Sequence, residues 1–232
     1  MMNAESRSSP APAGGIGAAV ALAAAAARYH VVVNYSADAE GARTVVNDIL
    51  AQGGKARAVQ ADVSQPADVG RLFDEAAGWG PVTAVINNAA ITGGNLIGAL
   101  MEVPAETVQR VVDVNVAGMI FMCQEAVRRL STDNGGSGGS IVNVSSTATK
   151  AGSPGTWVHY AATKGGAVDV LTVGLAAEVA KQGIRVNAVA PGSTNTGLHA
   201  AAGMPDRVER LNPTIPMGRG AEPEEVAAAV MC

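Results

Sequence analysis

Short runs rich in β-branched residues alternate along the chain with longer segments that mix apolar and polar positions. The short runs predict strands buried on both faces, at residues 31–34, 56–60, 84–87, 140–145 and 185–190. The longer segments predict helices, at residues 18–27, 37–52, 65–78, 105–130, 159–182 and 222–231. Such alternation is typical of βαβ units, so we expect an α/β fold with a doubly wound parallel sheet between two helical layers.

Polar or turn-forming pairs follow three of the predicted strands. They are Asn87-Asn88, Ser145-Ser146 and Pro191-Gly192. In open sheets of this kind ligands bind beyond the carboxyl ends of the strands. We therefore expect these pairs to border a ligand crevice.

Composition narrows the class of protein. The 232 residues, with 48% hydrophobic content, predict a single domain over residues 1–232. A net charge of −4 without a Lys/Arg cluster argues against nucleic-acid or anionic-membrane partners. No apolar run reaches the ~18–20 residues of a membrane span, and residues 1–12 lack a signal-peptide core. Cys123 and Cys232 lack metal-ligand spacing, so we expect no disulfide, no metal site and a cytoplasmic location.

Tyr160 and Lys164 stand four residues apart on a predicted helix. This spacing puts the phenol and the ammonium on one helix face. A nearby cation favours the phenolate, so we expect Lys164 to lower the pKa of Tyr160 toward neutral pH. The pair then predicts a general acid or base.

A series of short motifs runs from about Gly15 to Met231. They are Gly15-Ile16-Gly17, Asp62-Val63, Asn87-Asn88-Ala89-Ala90, Asn115, Ser145-Ser146, Tyr160-x-x-x-Lys164, and Pro191-Gly192 followed by Thr196. In this order and spacing they closely resemble the classical short-chain dehydrogenase/reductase family, above all its sugar dehydrogenase-like and 3-oxoacyl-carrier-protein reductase-like members. The resemblance implies a Rossmann fold and a nicotinamide cofactor.

The resemblance also implies four catalytic residues. Tyr160 would exchange a proton with the substrate oxygen, and Ser146 would hydrogen-bond the same oxygen, with Ser145 as the alternative serine. Lys164 would lower the Tyr160 pKa and bind the nicotinamide ribose, while Asn115 would position a water that links Lys164 to solvent.

The same resemblance implies a set of cofactor contacts spread over the crevice. They are Gly15, Ile16, Gly17, Tyr35, Ser36, Asp62, Val63, Asn87, Ala89, Tyr160, Lys164, Pro191, Gly192, Thr194 and Thr196. Relatives specific for NAD carry an acid at the end of the second strand, whereas Asn34-Tyr35-Ser36 has none. We therefore expect NADP to be preferred, with NAD possible. Residues 195–216 would form a lid, with pocket walls at Trp157, His159, Thr92 and His199.

The chain departs from the family at both ends. The family's first strand and its T-G-x-x-x-G turn are replaced by polar residues, and a two-base shift in a possible coding sequence for residues 5–17 restores I-A-L-V-T-G-A-S-R-G. We therefore expect residues 1–14 to be atypical, as a frameshifted reading of the usual start. Relatives continue past Met231 into a last strand, whereas this chain stops at Cys232, so we expect that strand to be missing.

Ala90 stands where relatives carry a glycine close to the cofactor, so we expect weaker cofactor binding. Relatives form dimers or tetramers through two long helices, here residues 105–130 and 159–182, so we expect a homo-oligomer if the ends permit.

Three functions are consistent with these residues. The first is an NAD(P)-dependent oxidoreductase that interconverts a small carbonyl compound and a secondary alcohol. The second is a catalytically silent relative whose altered ends prevent stable cofactor binding. The third, a dinucleotide sensor without turnover, has no need of the Tyr160 and Lys164 pair.

Overall fold

One parallel sheet organises the chain, for which the computed structural model describes residues 15–94 and 97–232 and the backbone of residues 2–3. Within these residues six strands lie in the order β3-β2-β1-β4-β5-β6, and all neighbours are parallel. The strands are β1 Met2–Asn3, β2 His30–Tyr35, β3 Lys55–Gln60, β4 Ala84–Asn87, β5 Gly139–Val144 and β6 Ile184–Val189. The order reverses at β1 and β4, the point at which doubly wound sheets bind ligands.

Helices follow the strands in alternation, as the sequence pattern predicts. The main ones are α1 Ile16–Ala26, α2 Ala39–Ala51, α3 Pro66–Ala77, α4 Ala105–Val112 and α5 Met119–Leu130 in the first two thirds of the chain. They are followed by α6 Ala148–Ala151, α7 Val158–Ala162, α8 Val170–Val179, α9 Gly197–Ala201, α10 Arg207–Leu211 and α11 Pro223–Met231. The short helices α6, α9 and α10 were not predicted from the sequence.

Two helical layers cover the sheet, each with its own apolar core. On one face α1, α2 and α11 pack small and branched side chains such as Val20, Ile49 and Val230 against the strands. On the other face α3, α4, α5 and α8 contribute larger ones, among them Phe73 and Leu130. The α/β sandwich expected from the sequence is therefore confirmed.

A first strand is present at the centre of the sheet. Met2 pairs with Val33 of β2 and with Ile86 of β4, and Asn3 pairs with Asn87. The expectation that no strand is present there is therefore wrong. Residues 4–14, which carry most of the frameshift hypothesis, lie outside the described residues.

Two π-helical turns interrupt helices that the sequence predicts as continuous. Asp113–Gly118 joins α4 to α5, and Thr163–Asp169 joins α7 to α8. Turns of this kind are rare and often occur at functional sites. They contain Asn115 and Lys164, two of the predicted catalytic residues.

No helix in the described ranges is long and apolar enough to cross a bilayer. Over the same ranges, no three His, Cys, Asp or Glu side chains gather in a way that could hold a metal ion.

Candidate active site

Tyr160 and Ser146 meet at the carboxyl end of β5. Ser146 is the second residue after the strand, and Tyr160 lies on α7 with most of its side chain buried. The hydroxyl of Ser146 is hydrogen-bonded to the phenol of Tyr160 and also accepts the N–H of Ala148 at 3.1 Å. Two hydroxyl groups therefore point to one location at the edge of the sheet, where a substrate oxygen could receive two hydrogen bonds.

Ser145 has a different partner, although it is the neighbouring residue. Its buried hydroxyl donates to Oδ1 of Asp169 at 2.6 Å. Successive side chains at the end of a strand point to opposite faces, which separates the two serines. Ser146 thus lies next to Tyr160, whereas Ser145 is hydrogen-bonded to Asp169.

Lys164 is buried beneath the same corner of the sheet. It is 1% exposed, and its Nζ donates to the carbonyl of Val144 at 2.6 Å. The Nζ lies 5.9 Å from the centre of the Tyr160 ring. Burial lowers the pKa of Lys164 to about 8, against the opposing charge of Asp169.

The expected lowering of the Tyr160 pKa is not found. Burial raises the pKa of Tyr160 to about 12, and the hydrogen bond with Ser146 only partly offsets this. The physical reason is that burial penalises the charged phenolate, while the ammonium of Lys164 is bound to the Val144 carbonyl. In this state Tyr160 is protonated at neutral pH, as a proton donor must be.

Asn115 ties the helix of Tyr160 to the loop after β4. Its Oδ1 accepts the N–H of Ile91 at 2.8 Å, and its Nδ2 donates to the Ile91 carbonyl at 2.9 Å and to Oγ1 of Thr163 at 3.1 Å. Thr163 in turn donates to the carbonyl of Tyr160 at 2.7 Å. The Asn115 amide therefore positions the backbone around Tyr160 and Lys164 rather than binding the Lys164 ammonium itself.

The start of α1 provides a surface for a negatively charged group. Gly15 is the residue before the helix, none of the described side chains caps this end, and the first turn contains no acidic residue. A methyl group added at Gly15 would lie 3.8 Å from Cβ of Thr196, so the loop after β6 faces this helix end closely. Free N–H groups at a helix N-terminus attract phosphate. Ile16 and Gly17, which form the first turn, thus fit a cofactor diphosphate.

Asp62 already has protein partners. Arg110 donates to its Oδ2 at 2.7 Å, and Ser64 donates to its Oδ1 from both N–H and hydroxyl. Burial works to raise the pKa of Asp62, but the bonds from Ser64 and Arg110 outweigh it and hold the pKa below its usual value. Asp62 is a charged carboxylate whose side chain is 28% exposed at the rim of the predicted cofactor crevice.

Asn87 links two central strands at the base of the crevice. Its Nδ2 donates to Oδ1 of Asn143 on β5 at 2.9 Å. Its own Oδ1 is buried without a partner among the described residues. An unpaired acceptor at the switch point fits a hydrogen-bond donor from a ligand.

The remaining predicted cofactor residues lie at the ends of other strands and in the loops that follow them. Tyr35 and Ser36 end β2, Val63 is buried against the Gly118 turn, and Ala89 is buried after β4. The loop after β6 contains Pro191, Gly192, Thr194 and Thr196. Within it, the Thr194 hydroxyl donates to the Gly192 carbonyl at 3.1 Å.

Trp157 forms one wall beside Tyr160. The two rings meet edge to face with centroids 6.4 Å apart, and the ring of His199 stacks on Trp157 at 6.0 Å. His159, by contrast, is buried and its Nε2 lies 2.8 Å from the carbonyl of Thr92. Trp157, His199, Thr92 and His159 were all expected as walls, and the first two form a stacked pair next to the phenol.

Sequence reasoning missed Arg207 at this wall. Its guanidinium lies 4.7 Å from the centre of the Trp157 ring. Met204 and Ala202 pack into the same cluster. The only sequence signal was an arginine inside the predicted lid, which is indistinguishable from a surface arginine until the lid is folded.

Comparisons with known proteins agree with this geometry. A family model described as Enoyl-(Acyl carrier protein) reductase matches residues 11–232. Uncharacterized oxidoreductase YgfF of Escherichia coli (strain K12) is 47% identical over 88% of this chain and 81% of its own.

Two solved structures with bound cofactors are similar to the whole chain. A short chain dehydrogenase from Burkholderia cenocepacia J2315 in complex with NADP is 30% identical, with a TM-score of 0.83 over 99% of this chain and 87% of its own. A 3-ketoacyl-(acyl-carrier-protein) reductase from Brucella melitensis complexed with NADH is also 30% identical, with a TM-score of 0.85 over 99% and 88%. The chain therefore belongs to the short-chain dehydrogenase/reductase family of NAD(P)-dependent oxidoreductases.

Proposed function

We propose that this chain transfers a hydride between NADP and a small carbonyl or secondary alcohol substrate, with Tyr160 as the general acid or base. The observation that carries the proposal is the hydrogen bond between Tyr160 and Ser146 beside the buried Lys164. A phenol and a hydroxyl directed at one location suit a carbonyl oxygen that gains a proton.

Protonation states favour Tyr160 as the proton donor in reduction. The raised pKa of Tyr160 keeps the phenol protonated at neutral pH. The Ser146 hydroxyl would stabilise the negative charge that develops on the substrate oxygen. NADPH, when bound, supplies the hydride, and the protein positions it. Lys164, held at the Val144 carbonyl, keeps a positive charge close to the phenol.

The end of β2 supports a preference for NADP. Asn34 is buried and donates to the carbonyls of Val59 and Ala61, so it closes the strand end instead of facing a ribose. Ser36 follows with a hydroxyl that can donate to a 2′-phosphate. The cofactors in the solved relatives, NADP in one and NADH in another, support the nicotinamide class.

We further propose a homo-oligomer, the expectation from the two long helices. Val170 and Val173 on α8 are 67% and 73% exposed, an apolar pair that a second copy could cover.

The test measures the reduction of a panel of small ketones and aldehydes as the loss of NADPH absorbance. The Tyr160→Phe variant serves as the comparison. We expect turnover with at least one carbonyl, and a fall in kcat of about 10²- to 10⁴-fold in Tyr160→Phe, since the ring remains and the proton donor is lost. NADH replacing NADPH should raise the cofactor KM.

The silent relative is the second candidate, and β1 favours it because, among the described residues of this strand, Met2 and Asn3 alone pair with β2 and β4. A thermal melt with and without NADPH separates the two, since a ligand that binds only the folded state raises the midpoint. If neither NADPH nor NADH raises the midpoint and no carbonyl is turned over, the chain is a catalytically silent relative and the proposed activity is wrong.

A further inference from the structure

Arg207 is unusual among the arginines of the described residues. Four of them are half-buried, and three of these pair with a carboxylate: Arg57 with Glu75, Arg110 with Asp62, and Arg129 with Asp74. For the fourth, Arg207, no carboxylate partner occurs in the described ranges. Its contacts are the face of the Trp157 ring and a weak 3.6 Å bond to the sulfur of Met204.

This arrangement has an electrostatic cost. Burial and the neighbouring charge of Arg210 both lower the pKa of Arg207. A partly desolvated guanidinium is stabilised best by an anionic oxygen pair that matches its planar fork. Among the described residues, Arg207 therefore has no anionic oxygen pair, such as a carboxylate, to bind.

The indole N–H of Trp157 also lacks a hydrogen-bond acceptor among the described residues. Its indole is 4% exposed, and its Nε1–H, which can only donate, has no acceptor among the residues described. His199, stacked on the same ring, has a buried Nδ1 that is also unpaired there. Buried polar atoms without partners are uncommon, and a bound ligand is one way in which such atoms are satisfied.

These groups surround one ring that touches the proposed proton donor. Arg207 lies over Trp157, and Trp157 meets Tyr160 edge to face. Arg207 and Tyr160 therefore both contact the same indole.

We propose that Arg207 and the Trp157 indole N–H bind an acidic group of the substrate, a carboxylate or a phosphate, and so select carbonyl compounds that carry one. The inference rests on the proposed function, because it concerns the substrate that Tyr160 would protonate.

The experiment compares three aryl ketones of matched shape with NADPH: 4-acetylbenzoate, its neutral methyl ester, and 4-acetylphenyl phosphate. The wild-type chain should prefer at least one anion to the ester, and the better anion identifies the acidic group. In Arg207→Met, kcat/KM for that anion should fall about 10- to 100-fold, mostly through KM, while the value for the ester stays within about twofold.

Arg210→Met is the matched control. Arg210 lies on the same helix, is exposed, and pairs with Asp206 at 3.1 Å, so its removal should leave the preference for the anion intact. Trp157→Phe keeps an aromatic ring and removes the N–H, so it should lower kcat/KM for the anion several-fold more than for the ester, whatever it does to both through the wall beside Tyr160. Arg207→Lys, which keeps the charge without the fork, replaces Arg207→Met if that variant does not melt cooperatively, and should lose part of the preference.

A melt with 4-acetylbenzoate and with 4-acetylphenyl phosphate gives a readout without turnover. One of them should raise the midpoint of the wild-type chain and not that of Arg207→Met. If no ketone is reduced but this shift is present, the proposed activity fails and the anion site stands. Equal kcat/KM for acid and ester, or a rise in the NADPH KM as the main effect of Arg207→Met, would overturn the anion site.

Discussion

The two neighbouring serines at the end of β5 have different hydrogen-bond partners. Ser146 shares a hydrogen bond with Tyr160, whereas the buried Ser145 donates to Asp169 at 2.6 Å. Asp169 also opposes the lowering of the Lys164 pKa, so Ser145 acts on the site only at a distance. At the scale of single residues, two serines adjacent in sequence thus have different partners, and only Ser146 contacts the proposed proton donor.

This division predicts opposite outcomes for two otherwise identical changes. Ser146→Ala should lower kcat by about 10²- to 10³-fold with little change in stability, because it removes a hydrogen bond to the developing oxyanion. Ser145→Ala should cost about 1–3 kcal/mol of unfolding free energy and spare most of kcat, because it leaves Asp169 without its donor. Steady-state kinetics and urea unfolding of both variants check this, and the reverse pattern would assign the catalytic role to Ser145.

At the scale of elements, the π-helical turns bring helices close to the site. Gly118 ends the first turn, where the helix runs against the loop that contains Val63. A methyl group there would lie 2.8 Å from Cγ2 of Val63 and 3.1 Å from its carbonyl oxygen. Such contacts force the loop or the helix to move.

We therefore expect Gly118→Ala to destabilise the chain by about 1–3 kcal/mol and to weaken NADPH binding, since Val63 is a predicted cofactor contact. Gly174→Ala on α8 is the control, because no described atom lies within 4 Å of the added methyl. That change should stabilise the helix by about 0.5–1 kcal/mol. Urea unfolding and NADPH titration measure both effects, and equal effects of the two changes would show that the close approach is unimportant.

At the scale of the whole molecule, buried Lys164 couples stability to pH. Its folded pKa of about 8 lies below the 10.5 of an exposed lysine, so between these values the unfolded chain binds more protons. The contribution of this group to stability therefore increases as pH rises above about 8. Burial raises the pKa of Cys123 from 9.0 to about 12, which acts in the opposite sense above pH 9.

The effect of Lys164 on stability is therefore best measured between pH 8 and 9. Comparison with Lys164→Met isolates this effect, because both proteins contain Cys123. Across this window the unfolding free energy of the wild-type chain should rise by up to about 1 kcal/mol relative to the variant. Denaturant unfolding at several pH values measures it. Parallel pH profiles of the two proteins would mean that Lys164 keeps an ordinary pKa.

The amino-acid pattern alone determined the alternation of strands and helices and most of their boundaries. Residues 84–87 match β4 at both ends, and the other predicted strands match within one residue, because buried β-branched runs and helix signals are local properties. The motifs likewise indicated the family and the residues of the crevice. Local pattern failed where pairing partners are distant in sequence, as for Met2–Asn3, which forms a strand only because β2 and β4 lie beside it.

Only the tertiary structure decided which side chains meet and what that does to them. The spacing of Tyr160 and Lys164 predicted a lowered phenol pKa, but desolvation, which depends on everything packed around the ring, raises it. The different partners of Ser145 and Ser146 depended on the position of Asp169, and the contact between Arg207 and Trp157 depended on how residues 195–216 fold. Burial, charge pairing and close approach are properties of several chain segments at once, and no single stretch of sequence contains them.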